Sequence, residues 1–148
     1  MAEPDYMVMA LAEAAAGAAA GEVPIGAVLV AEGRVLAKTQ NRVERDHDPT
    51  AHAELLAIRT AARALGLKRL TTAQLYVTLE PCPMCAQAIA LARLARLTFG
   101  AYDPKAGGVE HGARIFHQPS CNHRPQVVGG VQELAAQRLL RDFFKRRR

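Results

Sequence analysis

The segment Pro81-Cys82-Pro83-Met84-Cys85 constrains this chain more than any other part of it. It follows almost directly on Leu75–Leu79, a short run with β-forming residues. A central strand does not tolerate two prolines, because each removes a ladder hydrogen bond. The first turn of a helix does, since its amide hydrogens have no partner inside the helix. The strand must therefore end and a helix begin within a few residues, which calls for helices layered on a sheet.

The rest of the chain reads accordingly. Tyr6 to Ala20 is an alanine-rich helix ended by Gly21. Val23 to Val30 and Arg34 to Lys38 are strands joined by a turn at Glu32-Gly33, a hairpin. Asn41 to Pro49 is polar and irregular, and a helix runs from Thr50 to Leu65 and stops at Gly66. Pro83 to Leu94 is a helix, Leu97 to Tyr102 a strand, and Pro104 to Pro125 a loop-rich stretch broken by glycines and prolines. Val131, Leu134, Ala135 and Leu139 fall at helical spacing and mark a last helix. This order predicts a mixed sheet with helices on both faces, in a single domain spanning residues 1–148 without repeats or linkers.

Bulk properties remove several classes. Of the 148 residues, 50% are hydrophobic and 22% charged, enough to build a core and unlike a disordered chain. No apolar run approaches the ~20 residues of a membrane span. Glu3 and Asp5 stand where a secretory signal would be basic. Three cysteines, two of them in one short motif, do not make a disulfide framework, so a reducing cytoplasm is expected. The net charge is +5, and the last eight residues carry much of it, with Arg141, Lys145, Arg146, Arg147 and Arg148 against Asp142 alone. Such a tail either binds phosphates, with release of counterions, or is simply solvated.

Cys82 and Cys85, three residues apart at a helix N-terminus, can lie close together, and the helix dipole favours their thiolates. With His52 they make a zinc-binding set. Three protein ligands leave a position open, the arrangement of catalytic zinc, which lowers the pKa of bound water to ~7. A fourth ligand from Cys121, His123, His111 or His117 would instead close the site as a structural one. Glu54, two residues after His52, would point elsewhere in a regular helix. Near a helix end it can turn into the same cavity and carry protons from water to a ring nitrogen and then to a leaving amine.

His52-Ala53-Glu54 with Pro81-Cys82-x-x-Cys85 is the established signature of zinc-dependent deaminases, and in it the chain resembles the cytidine/deoxycytidylate deaminase superfamily. It is most similar to the tRNA-specific adenosine deaminase branch. The matching stretches are Val23 to Val30, Asn41-Arg42, His47 to Glu54, Thr78 to Ala88, Phe99 to Gly107, Asn122-His123 and Asp142 to Phe144, within residues 5–147.

The resemblance implies a three-layer α/β/α fold with a mixed five-stranded sheet, a homodimer and one zinc per subunit. It implies hydrolytic deamination of the wobble adenosine in the anticodon stem-loop of an arginine tRNA. By it, His52, Cys82 and Cys85 hold zinc, Glu54 shuttles protons, Asn41 bonds the target nucleoside and Asp103 lies near the substrate backbone. Lys105, Arg141, Lys145, Arg146 and Arg147 become candidate RNA contacts. Asn41 and Asp103 are equally turn-forming residues, and Phe143 and Phe144 either stack bases or anchor the last helix. Val43 and the run from Ala106 to Phe116 depart from the family pattern. The same chemistry on guanine or cytosine, or a non-catalytic RNA-binding or structural-zinc protein, are the other expectations.

Overall fold

The computed structural model describes residues 5–147, so Glu3 and Arg148 lie outside the described residues. Helix α1 (Tyr6–Ala19) is followed by strands β1 (Gly26–Ala31) and β2 (Arg34–Gln40), helix α2 (Ala53–Leu65), β3 (Ala73–Leu79) and α3 (Pro83–Leu91). Strand β4 (Arg96–Ala101), a single 3-10 turn (Ile115–His117), β5 (Gln126–Val128) and α4 (Glu133–Arg146) complete it. The sheet order is β2-β1-β3-β4-β5. β1 runs antiparallel to β2 and β3, whereas β3, β4 and β5 are mutually parallel neighbours.

Alternate residues of the strands face two separate cores. Leu29, Leu75, Val77, Leu97 and Phe99 pack with Ala57 of α2 and Ile89 of α3. Val28, Val30 and Tyr76 pack with Met7 and Ala10 of α1. Helix α4 lies beside α1 and over β4. Helices thus cover both faces, and β1 needs the nearly unbroken apolar run GAVLVA for that reason. The three-layer α/β/α architecture is the expected one.

The hairpin turn is also as expected: Glu32 and Gly33 both have positive φ, 51° and 74°, which matches the twist of the flanking strands. Gly66 closes α2 in the left-handed conformation, where no side chain is welcome.

Three local readings need correction. The helix expected from Thr50 starts at Ala53, because Asp48 Oδ1 accepts from both the amide (2.8 Å) and the hydroxyl (2.7 Å) of Thr50 and holds a turn there. Strand β5 was invisible: three residues between Pro125 and Gly129 carry no periodicity, and only pairing with β4 makes them a strand. In α4 the buried residue is Ala136, whereas Leu134 is 75% exposed and Val131 precedes the helix.

Candidate active site

Two helix N-termini meet at the end of β3. His52 is the N-cap of α2 and Cys82 the N-cap of α3, both with extended backbone (ψ 148° and 170°). Neither residue caps its helix with its own side chain. The Ala53 amide donates instead to Asn41 Oδ1 at 2.8 Å, which leaves the imidazole free to face the cysteines. Cys85 and Glu54 sit in the first turns of α3 and α2. Both helix dipoles therefore point their positive ends at the site.

His52 Nδ1 lies 3.5 Å from Cys82 Sγ and 3.6 Å from Cys85 Sγ. Tetrahedral bonds of about 2.0 Å to nitrogen and 2.3 Å to sulfur would set these atoms about 3.5 Å apart. The donor set and its spacing fit a zinc ion. No fourth side chain joins them among the described residues. Cys121 donates to the His123 carbonyl, His123 faces the Leu94 carbonyl and His111 pairs with Glu80. The closed-site alternative finds no ligand.

The Cys85 thiol donates to Cys82, which brings Cys82 down to about 4 against its burial, with further help from His52. The same bond, followed by burial, drives Cys85 up. His52 is raised, chiefly by its bond to Cys82.

Glu54 is only 4% exposed, and its Oε1 has no hydrogen-bond partner. Burial raises its pKa to about 7, opposed by backbone hydrogen bonding and the His52 charge. A buried carboxyl with an unused oxygen beside an open ligand set is equipped to take up and release protons. Its convergence with His52 depends on His52 standing outside the helix, so the azimuthal separation of a regular helix does not apply.

The whole chain, residues 1–148, matches the MafB19-like deaminase family. It is 53% identical over 143 residues to the tRNA-specific adenosine deaminase of Agrobacterium fabrum, covering 97% of this chain and 94% of the relative. It is 45% identical over 148 residues to the enzyme of the same name from Aquifex aeolicus, covering 100% and 97%.

The chain belongs to the tRNA-specific adenosine deaminase family.

A solved structure from work on A-to-I editing by tRNA:A34 deaminases at the wobble position superposes on this deaminase with a TM-score of 0.90. The two are 53% identical, with 91% of this chain and 98% of that one covered.

The remaining sequence candidates fall in three places. Asn41 is 5% exposed at the end of β2, its Oδ1 on Ala53 and its Nδ2 without a protein partner among the described residues. Asp103 caps its own turn, Oδ1 accepting from the amides of Lys105 (3.2 Å) and Ala106 (3.0 Å), and Lys105 is exposed. Arg141, Lys145, Arg146 and Arg147 line the exposed end of α4. There, Arg147 stacks 4.4 Å from the Phe143 ring and donates to the Gly21 carbonyl at 2.8 Å. Phe143 borders a groove of about 380 Å³ between α1 and α4, so it ties the last helix to the first, while Phe144 is exposed.

Two buried glutamates of the deaminase were not among the candidates, although Glu80 lies within the matching stretch Thr78 to Ala88. Glu80 accepts from the amides of Asp103, Val109, Glu110 and His111 and pairs with His111 Nδ1 at 2.8 Å. Burial alone would raise its pKa, but these bonds, that of Asp103 first, leave it lowered. The segment after Lys105 is thereby folded onto the ligand-bearing junction. Gly108 donates to the Pro81 carbonyl, and a Cβ at Gly108 would lie 2.5 Å from Pro83 N. Glu22 does the same for the segment after Asn41, accepting from the amides of Glu44 and Arg45 and from the Arg45 guanidinium. It too is lowered, hydrogen bonds outweighing burial. The one available signal for Glu80 is its place directly before Pro81-Cys82; Glu22 has none.

Proposed function

We propose that this chain catalyses the hydrolysis of adenosine to inosine and ammonia at the wobble position of an anticodon stem-loop, that of an arginine tRNA. It carries one zinc per subunit, held by His52, Cys82 and Cys85. Glu54 Oε1, buried and unpartnered beside a three-ligand set with tetrahedral spacing, carries this reading. When bound, zinc supplies hydroxide from water at neutral pH.

The chain's own groups do the rest. Glu54 removes a proton from the attacking water and delivers it to a ring nitrogen of the purine; it then takes the remaining proton from the hydroxyl now on the attacked carbon and passes it to the amine, which departs as ammonia while the carbonyl forms. Asn41 Nδ2 is placed to donate to the target nucleoside while Oδ1 stays committed to Ala53. Asp103 borders the substrate backbone through the loop it caps. The reacting base must leave its stack to reach the half-buried His52 and Cys82 and the buried Glu54, which a splayed anticodon loop allows at small cost. Lys105, Arg141, Lys145, Arg146 and Arg147 contact phosphates.

The proposal includes a homodimer, supported by the exposed Leu65 and Leu91, the last residues of the adjoining helices α2 and α3, and by the exposed Leu67 just beyond α2. It also places the enzyme in the cytoplasm with its tRNA; no helix among the described residues is long and apolar enough to cross a membrane.

The test is deamination of an anticodon stem-loop with adenosine at the wobble position, beside free adenosine, guanine, cytosine and cytidine. Inosine formed only in the RNA is the expected result. Turnover of a free base or nucleoside with the RNA untouched would move the protein to small-molecule chemistry, and no turnover at all would leave a binding or structural protein.

A further inference from the structure

Asn41 is fixed at three atoms. Its amide donates to the Ile25 carbonyl (3.2 Å), its Oδ1 accepts from Ala53 (2.8 Å), and its carbonyl accepts from Arg45 Nη2 (2.7 Å). The first two are local consequences of the strand end and the helix start. The third comes from a long side chain that nothing in those elements requires to be there.

The Arg45 guanidinium is in turn aimed by its partners. Nε donates to Glu22 Oε2 at 3.0 Å, and Nη2 divides itself between Gln40 Oε1 (2.9 Å) and the Asn41 carbonyl. Glu22 is fully buried, and its carboxylate is further set by the amides of Glu44 and Arg45. The planar fork thus reaches from a buried anion to the residue next to the cavity. A lysine could neutralise Glu22, but a single ammonium is not a fork and cannot hold Glu22, Gln40 and the Asn41 carbonyl in this geometry. Charge balance and the hold on Asn41 are separable functions of this side chain.

We infer that Arg45 is a positioning residue for the deaminase: anchored on Glu22, it fixes the Asn41 main chain so that Nδ2 meets the target base at one angle and distance. This rests on the proposed bond between Asn41 and the nucleoside. The opposite end of Glu22's segment touches the basic tail, since Arg147 donates to the Gly21 carbonyl, so the clamp sits between the tail and the cavity.

Arg45→Lys decides between positioning and simple charge balance. The variant is expected to keep its zinc content and thermal midpoint while kcat/KM on the stem-loop RNA falls about tenfold, as for one lost hydrogen bond in an ordered site. Parental activity in Arg45→Lys would overturn the proposal, because Glu22 would then need only a counter-charge. If the lysine variant does not fold, the neutral pair Glu22→Gln with Arg45→Gln takes its place; the same tenfold loss is expected, and parental activity overturns it.

A double-mutant cycle then tests the route through Asn41. In an Asn41→Ala background the further change at Arg45 should cost less than about twofold. A second tenfold loss would show that Arg45 acts independently of Asn41 and overturn the proposal. Asn41→Ala with parental activity would remove its premise, whereas a parent inactive on the RNA would withdraw the deaminase reading itself.

Discussion

The site at His52, Cys82 and Cys85 and the two loops that border it treat the same residue type in opposite ways. Glu54, Glu80 and Glu22 are all buried. Glu80 accepts five hydrogen bonds, four of them from backbone amides, and Glu22 is bonded by two amides and a guanidinium. Both are held below the ordinary carboxylate pKa. Glu54 has an oxygen with no partner and is pushed up to about 7. Burial is common to all three, so the number of donors decides which glutamate keeps its charge and which can exchange a proton. The loops use carboxylates as fixed anions that organise the backbone; the glutamate beside His52 is left with an oxygen that no protein donor reaches among the described residues.

The largest expected effect of breaking this contrast is catalytic. Glu54→Ala should lower turnover by about 10³-fold or more while zinc remains stoichiometric, read by inosine formation and metal analysis of one preparation. Surviving turnover would show that another group carries the proton. The second effect is on stability and has opposite signs in the two regions. Glu80→Leu should cost about 3 kcal/mol in urea unfolding, because several buried donors lose their acceptor. Glu54→Leu should cost nothing or stabilise, since it removes a poorly solvated carboxyl. Equal losses at both positions would erase the distinction.

The tail extends the comparison from anions to cations. Arg147 is stacked on Phe143 and bonded to Gly21, whereas Lys145 and Arg146 have no ion-pair or hydrogen-bond partner among the described residues. Removal of residues 145–148 should weaken stem-loop binding and flatten its salt dependence, by about 0.7 in logarithmic slope for each single-strand phosphate left without its cation. Alanine at Arg146 should cost more affinity than alanine at Arg147. An unchanged slope would show that the tail touches no phosphate.

The smallest effect is in acid. The folded-state pKa of Glu22 is lowered from 4.5, so its contribution is complete above that value and is lost as pH falls through the folded value. Thermal midpoints of the parent should therefore fall more steeply than those of Glu22→Gln as pH drops below about 4.5. Parallel curves would mean that the Glu22 carboxylate is not held by its neighbours.

Much of the molecule was legible in its residues because the signals are local. The hairpin follows from Glu32-Gly33, the end of α2 from Gly66, and the strand-to-helix junction from two prolines around Cys82. The clustering of His52, Cys82 and Cys85 follows from donor chemistry and spacing, and the nearness of Glu54 from its place beside His52. The errors also share a cause. Asp48 delays α2 through a side-chain turn that competes with helix on nearly equal terms, and β5 is a strand only because β4 offers its edge. In α4 the apolar spacing chose Leu134, but the core is reached by Ala136, where the close approach to Gly100 has room only for a methyl group.

By itself the sequence determined which groups are available to the proposed chemistry: three side chains that could hold a metal, a carboxyl beside them, and a cluster of cations at the end of the chain. Those are properties of side chains and short spacings, fixed by covalent structure. Only the tertiary structure decided how they are used. It set His52 and Cys82 outside their helices so that their side chains could converge, handed the capping of Ala53 to Asn41, and brought Glu22 to Arg45 and Glu80 to the segment 103–111 across more than twenty residues of chain. A buried carboxylate becomes an anchor or a proton carrier according to the donors that folding brings to it, and no local pattern encodes that count.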